Sequence, residues 1–158
     1  LLLLFFLAKS QLGFGQINAH KSWSFSAGPE LILPERKLSQ THGIGFGGTA
    51  KGEYVFGKHA AVIMASGFYS VPGKTNNSSL NVVPLKAGVR YYLGNFYAQG
   101  EAGAAFLFGY ISQTKLLYSA GMGDKFPVGR YKIDISLRHE GWVAKGWGIA
   151  GLRVAFEF

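Results

Sequence analysis

The final twelve residues, Trp147 to Phe158, alternate without a break. Gly148, Ala150, Leu152, Val154, Phe156 and Phe158 fall on one side of an extended chain; Ile149, Gly151, Arg153, Ala155 and Glu157 fall on the other. Successive side chains of a strand point to opposite faces, so this segment has a wholly apolar face and a face carrying both signs of charge. A soluble fold gains little from closing on an outward phenylalanine. A strand of a transmembrane β-barrel has lipid on one face and an enclosed polar lumen on the other, which matches this pattern. The rest of the chain either repeats it or rules it out.

Most of the chain repeats it. From Ser22 to Ile32, Trp23, Phe25, Ala27, Pro29 and Leu31 oppose Ser22, Ser24, Ser26, Gly28 and Glu30. From Gly43 to Glu53, Ile44, Phe46, Gly48, Ala50 and Gly52 oppose Gly45, Gly47, Thr49, Lys51 and Glu53. Between Asn81 and Leu93, Val83, Leu85, Ala87, Val89 and Tyr91 oppose Lys86, Gly88 and Arg90. Gly94-Asn95 is a tight hairpin signal, and from Phe96 to Phe108 Ala98, Gly100, Ala102, Ala104 and Phe106 then oppose Gln99, Glu101 and Gly103. Tyr131, Ile133, Ile135 and Leu137 oppose Lys132, Asp134, Ser136, Arg138 and Glu140.

Two segments are less explicit. Ala60–Val71 is nearly as apolar on one face as on the other; the reading taken here turns Ala61, Ile63, Ala65, Gly67 and Tyr69 outward. Leu116–Asp124 reads as a strand of unassigned register. With the terminal segment this makes eight strands, an even number, as a closed antiparallel single-chain barrel requires. The expected fold is all-β: an eight-stranded antiparallel transmembrane β-barrel in up-and-down meander order.

Composition narrows the class. Charged residues make up 15% of the chain, against roughly 25% in a typical soluble domain, while 15% are aromatic and 23 are glycine. Hydrophobic residues reach 48%, yet no run approaches the ~20 apolar residues of a spanning helix. A soluble glycine-rich β-sandwich is the competing class. The absence of cysteine excludes disulfides, thiol nucleophiles and thiolate metal sites. The net charge of +8 comes from scattered single Lys and Arg residues rather than a basic run, which argues against nucleic acid as a partner.

Leu1–Ala8 (LLLLFFLA) is an apolar core too short to span, followed by Lys9, Ser10 and Gln11 and small residues at Gly13 and Gly15. Residues 1–15 read as a secretory signal peptide truncated at its start, with a short buried helix as the alternative. Cleavage is expected near Gly15–Gln16, or at Ser10–Gln11, leaving residues 16–158 as the barrel domain. The connections after odd-numbered strands (34–42, 72–79, 109–115 and 141–146) are mostly longer and more polar than those after even-numbered strands. That asymmetry matches extracellular loops and periplasmic turns.

Aromatic residues support this orientation. Trp23, Tyr54, Phe56, Tyr91, Tyr92, Phe96, Tyr97, Phe126, Tyr131, Phe156 and Phe158 fall at the ends assigned to the periplasmic side. Phe68, Tyr69, Phe106, Phe108, Tyr110, Tyr118, Trp142 and Trp147 fall near the outer ends, with Phe25 and Phe46 inside strands. Two such belts are expected where amphipathic rings meet the headgroup zones.

Three stretches then resemble a known family: Pro84-Leu85-Lys86-Ala87-Gly88-Val89-Arg90-Tyr91-Tyr92, Phe96-Tyr97-Ala98-Gln99-Gly100-Glu101-Ala102-Gly103, and Gly151-Leu152-Arg153-Val154-Ala155-Phe156-Glu157-Phe158. Over roughly Trp23 to Phe158 the chain resembles the small outer-membrane β-barrels of Gram-negative bacteria, of the outer-membrane protein A and X kind, especially Bacteroidetes versions. The resemblance implies an integral outer-membrane location and makes Phe156 and Phe158 the C-terminal signal read by the barrel-assembly machinery. The fuller signal also has a glycine and a polar residue at set upstream positions, which this chain matches imperfectly.

The inward faces collect Lys51, Glu53, Lys86, Arg90, Glu101, Asp134, Arg138, Glu140 and Arg153, with Lys132 and Glu157 toward the rim. An eight-stranded barrel is only wide enough to be filled by side chains, so these charges are expected to pair and plug the lumen. Glu101 with Arg90 or Arg138 is the expected central pair. A small gated pore is the alternative. A lipid A-modifying enzyme is a further one, since His139 lies near the outer end of its strand with Ser136 and Glu140 nearby. By alternation, however, His139 faces lipid while the other two face the lumen.

No metal or cofactor site is expected. His20, His42, His59 and His139 stand at no ligand spacing, and Gly45-x-Gly47-Gly48 lacks the helix and Lys-Ser/Thr ending of a phosphate loop. Arg36, Lys37, Lys74, Lys115 and Lys145 place a positive charge on each outer loop, as ordinary solvated tips or to meet lipopolysaccharide phosphates. The expected function is non-enzymatic, structural or surface-interacting. The expected partners are outer-membrane lipid, lipopolysaccharide and, during biogenesis, the assembly machinery, for a monomeric chain.

Overall fold

The computed structural model describes residues 22–143 and 146–158. The expectations for the signal peptide, for His20 and for Lys145 lie outside the described residues. Eight strands follow one another: β1 (Ser22–Glu35), β2 (Gly45–Val55), β3 (Ala60–Val71), β4 (Leu80–Leu93), β5 (Phe96–Gly109), β6 (Gln113–Val128), β7 (Tyr131–Trp142) and β8 (Trp147–Glu157). A short helix, α1 (Arg36–Thr41), sits between β1 and β2, inside the polar stretch that the sequence marks as a connection.

Each strand pairs antiparallel with its sequence neighbours, and β8 pairs with β1, so the sheet is a closed barrel in meander order. Phe25 and Phe158 complete the seam by exchanging backbone hydrogen bonds of 3.2 and 2.9 Å. Closure leaves no row of unpaired peptide groups at an edge. Residues 56–59, 94–95 and 129–130 form the short connections at one rim, the turn end. Residues 36–44, 72–79, 110–112 and 143–146 connect the strands at the other, the loop end. The third loop is shorter than the sequence suggests because β6 begins at Gln113. At its other end β6 runs on past Asp124 to Val128.

Polarity is inverted relative to a soluble fold. Val89 is 62% exposed and Leu116 67%, whereas Lys86 is 2% exposed and Arg153 1%. Within the barrel wall the alternation read from β1, β2, β4, β5, β7 and β8 sets this pattern, apolar side out.

In β3 the expected register is reversed. Ala61, Ile63, Ala65 and Tyr69 are buried in the lumen, and Val62, Met64 and Phe68 are exposed outside. The neighbours supply the reason. Ala65 pairs with Lys51 of β2 and Lys86 of β4, and Ala61 pairs with Arg90, so small inward residues leave room for three long cations. In β6, whose register the sequence left unassigned, Leu117, Ser119 and Lys125 face in, and Leu116, Tyr118 and Met122 face out.

The aromatic belts hold for the outward rings and fail for five others. Tyr69, Tyr92, Tyr97 and Trp142 are buried inside the barrel, and Trp147 packs against the apolar cluster at the loop end of the lumen. Phe25 belongs to the turn-end belt, its ring stacked 6.4 Å from that of Trp23. Phe46, second residue of β2, lies at the loop end.

Candidate functional site: the lumen and the loop end

From the turn end upward, the lumen holds a tyrosine pair, two runs of charge, and an apolar cluster. Two small residues make room for this filling. A side chain at Gly151 would strike the Glu30 carboxylate and the Arg138 side chain, and one at Gly123 would strike the Tyr97 ring.

The upper run alternates in sign along its whole length. Glu30 meets Arg138 at 2.5 Å, and Arg138 also meets Glu140. Glu140 meets Lys86 at 3.1 Å, Lys86 meets Glu101 at 3.4 Å, and Glu101 meets Lys51 at 3.4 Å. Thr49 donates to Glu30. The Tyr69 hydroxyl and the Trp142 indole donate to one oxygen of Glu140, at 2.7 and 3.0 Å.

The lower run alternates too. Arg153 meets Asp134 at 3.3 Å, Asp134 meets Arg90 at 3.8 Å, and Arg90 meets Glu53 at 2.6 Å. Lys125 meets Glu53 at 3.2 Å and also Glu157, which Lys132 reaches at 3.3 Å from the rim. Arg90 donates twice to Gln99, at 3.1 and 2.7 Å, and its guanidinium lies 3.8 Å from the centre of the Tyr97 ring. Tyr97 donates to Asp134 at 2.5 Å, Tyr92 donates to Glu53, and Arg153 donates to Ser26 at 2.9 Å.

A lone buried ion is costly, but each carboxylate in the interior of these runs lies between cations. Removing one member strands its neighbours, which costs about 3–5 kcal/mol in a buried pair. Glu101 pairs with Lys51 and Lys86, not with Arg90 or Arg138 as expected. Alternation assigns a face, whereas height comes from register. Glu101 lies opposite Gly88, midway between Lys86 and Arg90, and Arg90 is turned toward Glu53, Asp134 and Gln99.

Two ions of these runs lie outside the set expected from sequence. Glu30 is legible on the serine-rich face of the first segment, whereas Lys125 gives no usable signal, because the register of its strand is not legible. Tyr69, Tyr92 and Tyr97 read from sequence as belt residues.

Above the charges, Ile32, Tyr69, Val71, Leu80, Val82, Ala105, Leu107, Leu117, Trp142 and Ile149 form one buried apolar cluster. Leu38 of α1 completes it from outside the strands and is fully buried. The loops above are tied together. His42 bridges to Gly73, Gly43 N–H donates to Pro72 at 2.8 Å, and Lys74 N–H donates to Thr41 at 2.7 Å. The Lys74 ammonium donates to the Ser39 carbonyl at 2.8 Å.

The lumen holds six carboxylates (Glu30, Glu53, Glu101, Asp134, Glu140, Glu157) and six buried cations (Lys51, Lys86, Arg90, Lys125, Arg138, Arg153). The chain has 8 acidic and 16 basic side chains, so its whole net charge of +8 lies outside this set. Arg36, Lys37 and Lys74 are exposed at the loop end and Lys115 is half-buried there. Glu35, the carboxylate beside Arg36, is engaged by His139 at 2.8 Å on the outer wall.

Ser136 is buried in the lumen, so it and His139 lie on opposite sides of the wall. No group of three or more potential metal ligands occurs among the described residues. Gly45, Gly47 and Gly48 lie within β2. Phe156 and Phe158 are exposed on the outer face at the turn end.

No protein-family model matches the chain, and no curated protein matches it. Solved structures do. Ail, the attachment invasion locus protein of Yersinia pestis, superposes with a TM-score of 0.63 at 16% identity, over 88% of this chain and 99% of Ail. Ail has also been solved in complex with the heparin analogue sucrose octasulfate. Neisserial surface protein A gives a TM-score of 0.66 at 14% identity, over 85% of this chain and 95% of its own. The outer membrane protein OprG of Pseudomonas aeruginosa gives 0.60 at 11% identity, over 89% and 98%. At these identities the likeness is one of fold, and at that level the expected resemblance holds: the chain has the fold of small outer-membrane β-barrel proteins.

Proposed function

We propose that this chain is an integral outer-membrane β-barrel with a non-enzymatic structural or surface-interaction role and a lumen plugged by its own side chains. The observation that carries the reading is the pair of alternating charge runs under an apolar cluster, which together occupy the lumen from Lys132 to Leu38. The outward apolar wall faces lipid, the turn end faces the periplasm, and the loop end faces outward. The basic loops then meet the phosphates of lipopolysaccharide, and a monomer suffices because closure satisfies every strand. Phe156 and Phe158 anchor β8 at the periplasmic interface and serve as the segment read by the assembly machinery.

Separation of His139 from Ser136 by the barrel wall argues against the serine–histidine pair of a lipid A deacylase. A small gated pore is the second reading. It is favoured by one observation: the Ser119 hydroxyl lacks a hydrogen-bond partner among the described residues, and each Glu101 oxygen is held only by an ammonium at 3.4 Å, the longest pairs of the upper run.

The test is membrane fractionation followed by electrophoresis with and without boiling. The expected result is an outer-membrane band that shifts on heating, with the lipid A mass spectrum unchanged by deletion of the gene. Recovery in the soluble periplasm without a heat-dependent band contradicts the reading. Comparison of Phe158→Ser with Glu157→Gln at matched expression tests the assembly segment, with only the first expected to lower outer-membrane levels.

A further inference from the structure

At the loop end, residues from three loops and β8 follow one another in an arc. Arg36, at the start of α1, bridges through its backbone to Trp147. The Trp147 ring lies 6.4 Å from that of Tyr110, and Tyr110 lies 4.9 Å edge-on to the His42 ring. His42 bridges through its backbone to Gly73, and Lys74 follows. The arc therefore runs from Arg36 past the partly exposed rings of Trp147 and Tyr110, and over the buried His42, to Lys74. Arg36 and Lys74 are exposed, and Tyr110 is 36% exposed.

We propose that this arc is a binding site for a sulfated or phosphorylated saccharide; the proposal rests on the outer-membrane reading above, which turns the loop end outward. Three features support it. The first is charge: Glu35, the acidic neighbour of Arg36, is turned to His139 on the outer wall, and the other acids lie in the lumen or at the turn end, so the loop end is net positive. A surface of net positive charge attracts anions from solution.

The second is the chemistry of the ends. A guanidinium presents a planar fork of donors that matches sulfate or phosphate oxygens, and the Lys74 ammonium, having given one of its three donors to Ser39, keeps two more. Arg36 is held at φ 53°, in the left-handed region that favours glycine, and a charged residue is kept there at the cost of backbone strain. The third is the span between them. The partly exposed rings of Tyr110 and Trp147 present an apolar face with a polar tip, suited to the C–H face of a sugar ring whose hydroxyls stay wet, while the buried His42 backs the Tyr110 ring. A bare phosphate has no use for the rings, and a neutral sugar has no use for the cations. An anionic saccharide uses both.

The experiment uses the folded barrel in neutral detergent, with the heat-dependent band checked for every variant. Three probes are titrated: a heparin-derived oligosaccharide, a phosphorylated core oligosaccharide of lipopolysaccharide, and a neutral dextran fragment. Saturable binding is expected for at least one anionic probe and not for dextran, and the anionic probe that binds identifies the source of the ligand. Arg36→Gln with Lys74→Gln should weaken binding on the order of tenfold or more, as for loss of charge-assisted contacts. Lys58→Gln with Arg130→Gln, an equal charge change at the turn end, should leave it unchanged. Tyr110→Leu should weaken it several-fold. Equal loss with both charge pairs, no loss with Tyr110→Leu, or no saturable binding by the folded barrel overturns the proposal and leaves the barrel reading standing. Absence of a heat-dependent band in the parent protein fails that underlying reading instead.

Discussion

The loop-end portion of the lumen and the stretch beneath it are lined by opposite materials. Above, Leu38, Tyr69, Val71, Leu80 and their neighbours pack as apolar side chains, which needs good fit but no particular partner. Beneath stand twelve buried ions, each carboxylate beside a cation. An apolar plug that loses one side chain keeps a cavity among residues that still dislike water. A charge run that loses one member exposes its neighbours as uncompensated ions. The two regions should therefore fail differently.

The largest effect is expected in the upper run. Glu140→Ala removes the carboxylate shared by Arg138, Lys86, Tyr69 and Trp142 and should cost about 3–5 kcal/mol. The urea midpoint for loss of the heat-dependent band measures it. Lys132→Gln is the internal reference at the rim, where that side chain is largely exposed, and it should cost less than about 1 kcal/mol. Equal losses would break the distinction between a buried run and its solvated end.

Next comes the wall itself. Val89 is next to Arg90 in sequence and on the opposite face. Val89→Arg should cost about 1–3 kcal/mol in a bilayer, between the midplane and interfacial costs of a cation. A neutral outcome would contradict the inside-out assignment of β4.

A smaller, local effect is expected from Leu38→Ser. Leu38 stands on α1, outside the strands, so its loss should loosen residues 36–43 and leave the global midpoint within about 1 kcal/mol. Limited proteolysis of the loop, alongside the urea titration, reads both. Global destabilisation matching that of Glu140→Ala would mean that the apolar plug and the charge runs are a single unit.

The smallest effect is a pH dependence of the loop clasp. Burial holds the His42 imidazole below its ordinary value, so the closed loop keeps it neutral. An opened loop takes up a proton once the pH falls below the ordinary histidine value of about 6.5, so this contribution is present above that pH and lost beneath it. Amide exchange at Gly43 and Lys74, corrected for intrinsic rate, should rise between pH 7.5 and pH 5 and lose that dependence in His42→Gln.

The same contrast explains what was legible in the sequence. Where the lumen is charged, alternation between polar and apolar residues reveals both faces, as in β2, β7 and β8. Where the lumen is apolar, the code disappears. Tyr69 and Val71 of β3 face an apolar plug, so both faces of that strand look alike and the register was reversed. Tyr92 and Tyr97 illustrate a second limit. An aromatic at a strand end fits a membrane belt, yet these two sit on the inward parity and give their hydroxyls to Glu53 and Asp134. Pairing partners were the least legible feature. Glu101 stands as near in β-ladder register to Arg90 as to Lys86, and only the three-dimensional placement of Glu53 and Asp134 draws Arg90 away.

Conductance of the parent protein in a planar bilayer, with insertion verified by the heat-dependent band, tests whether the lumen is closed by its own side chains. A silent membrane is expected, with no resolved openings above baseline at moderate voltage. Stable single-channel openings from the unaltered chain would overturn the plugged lumen and make the gated pore the better description.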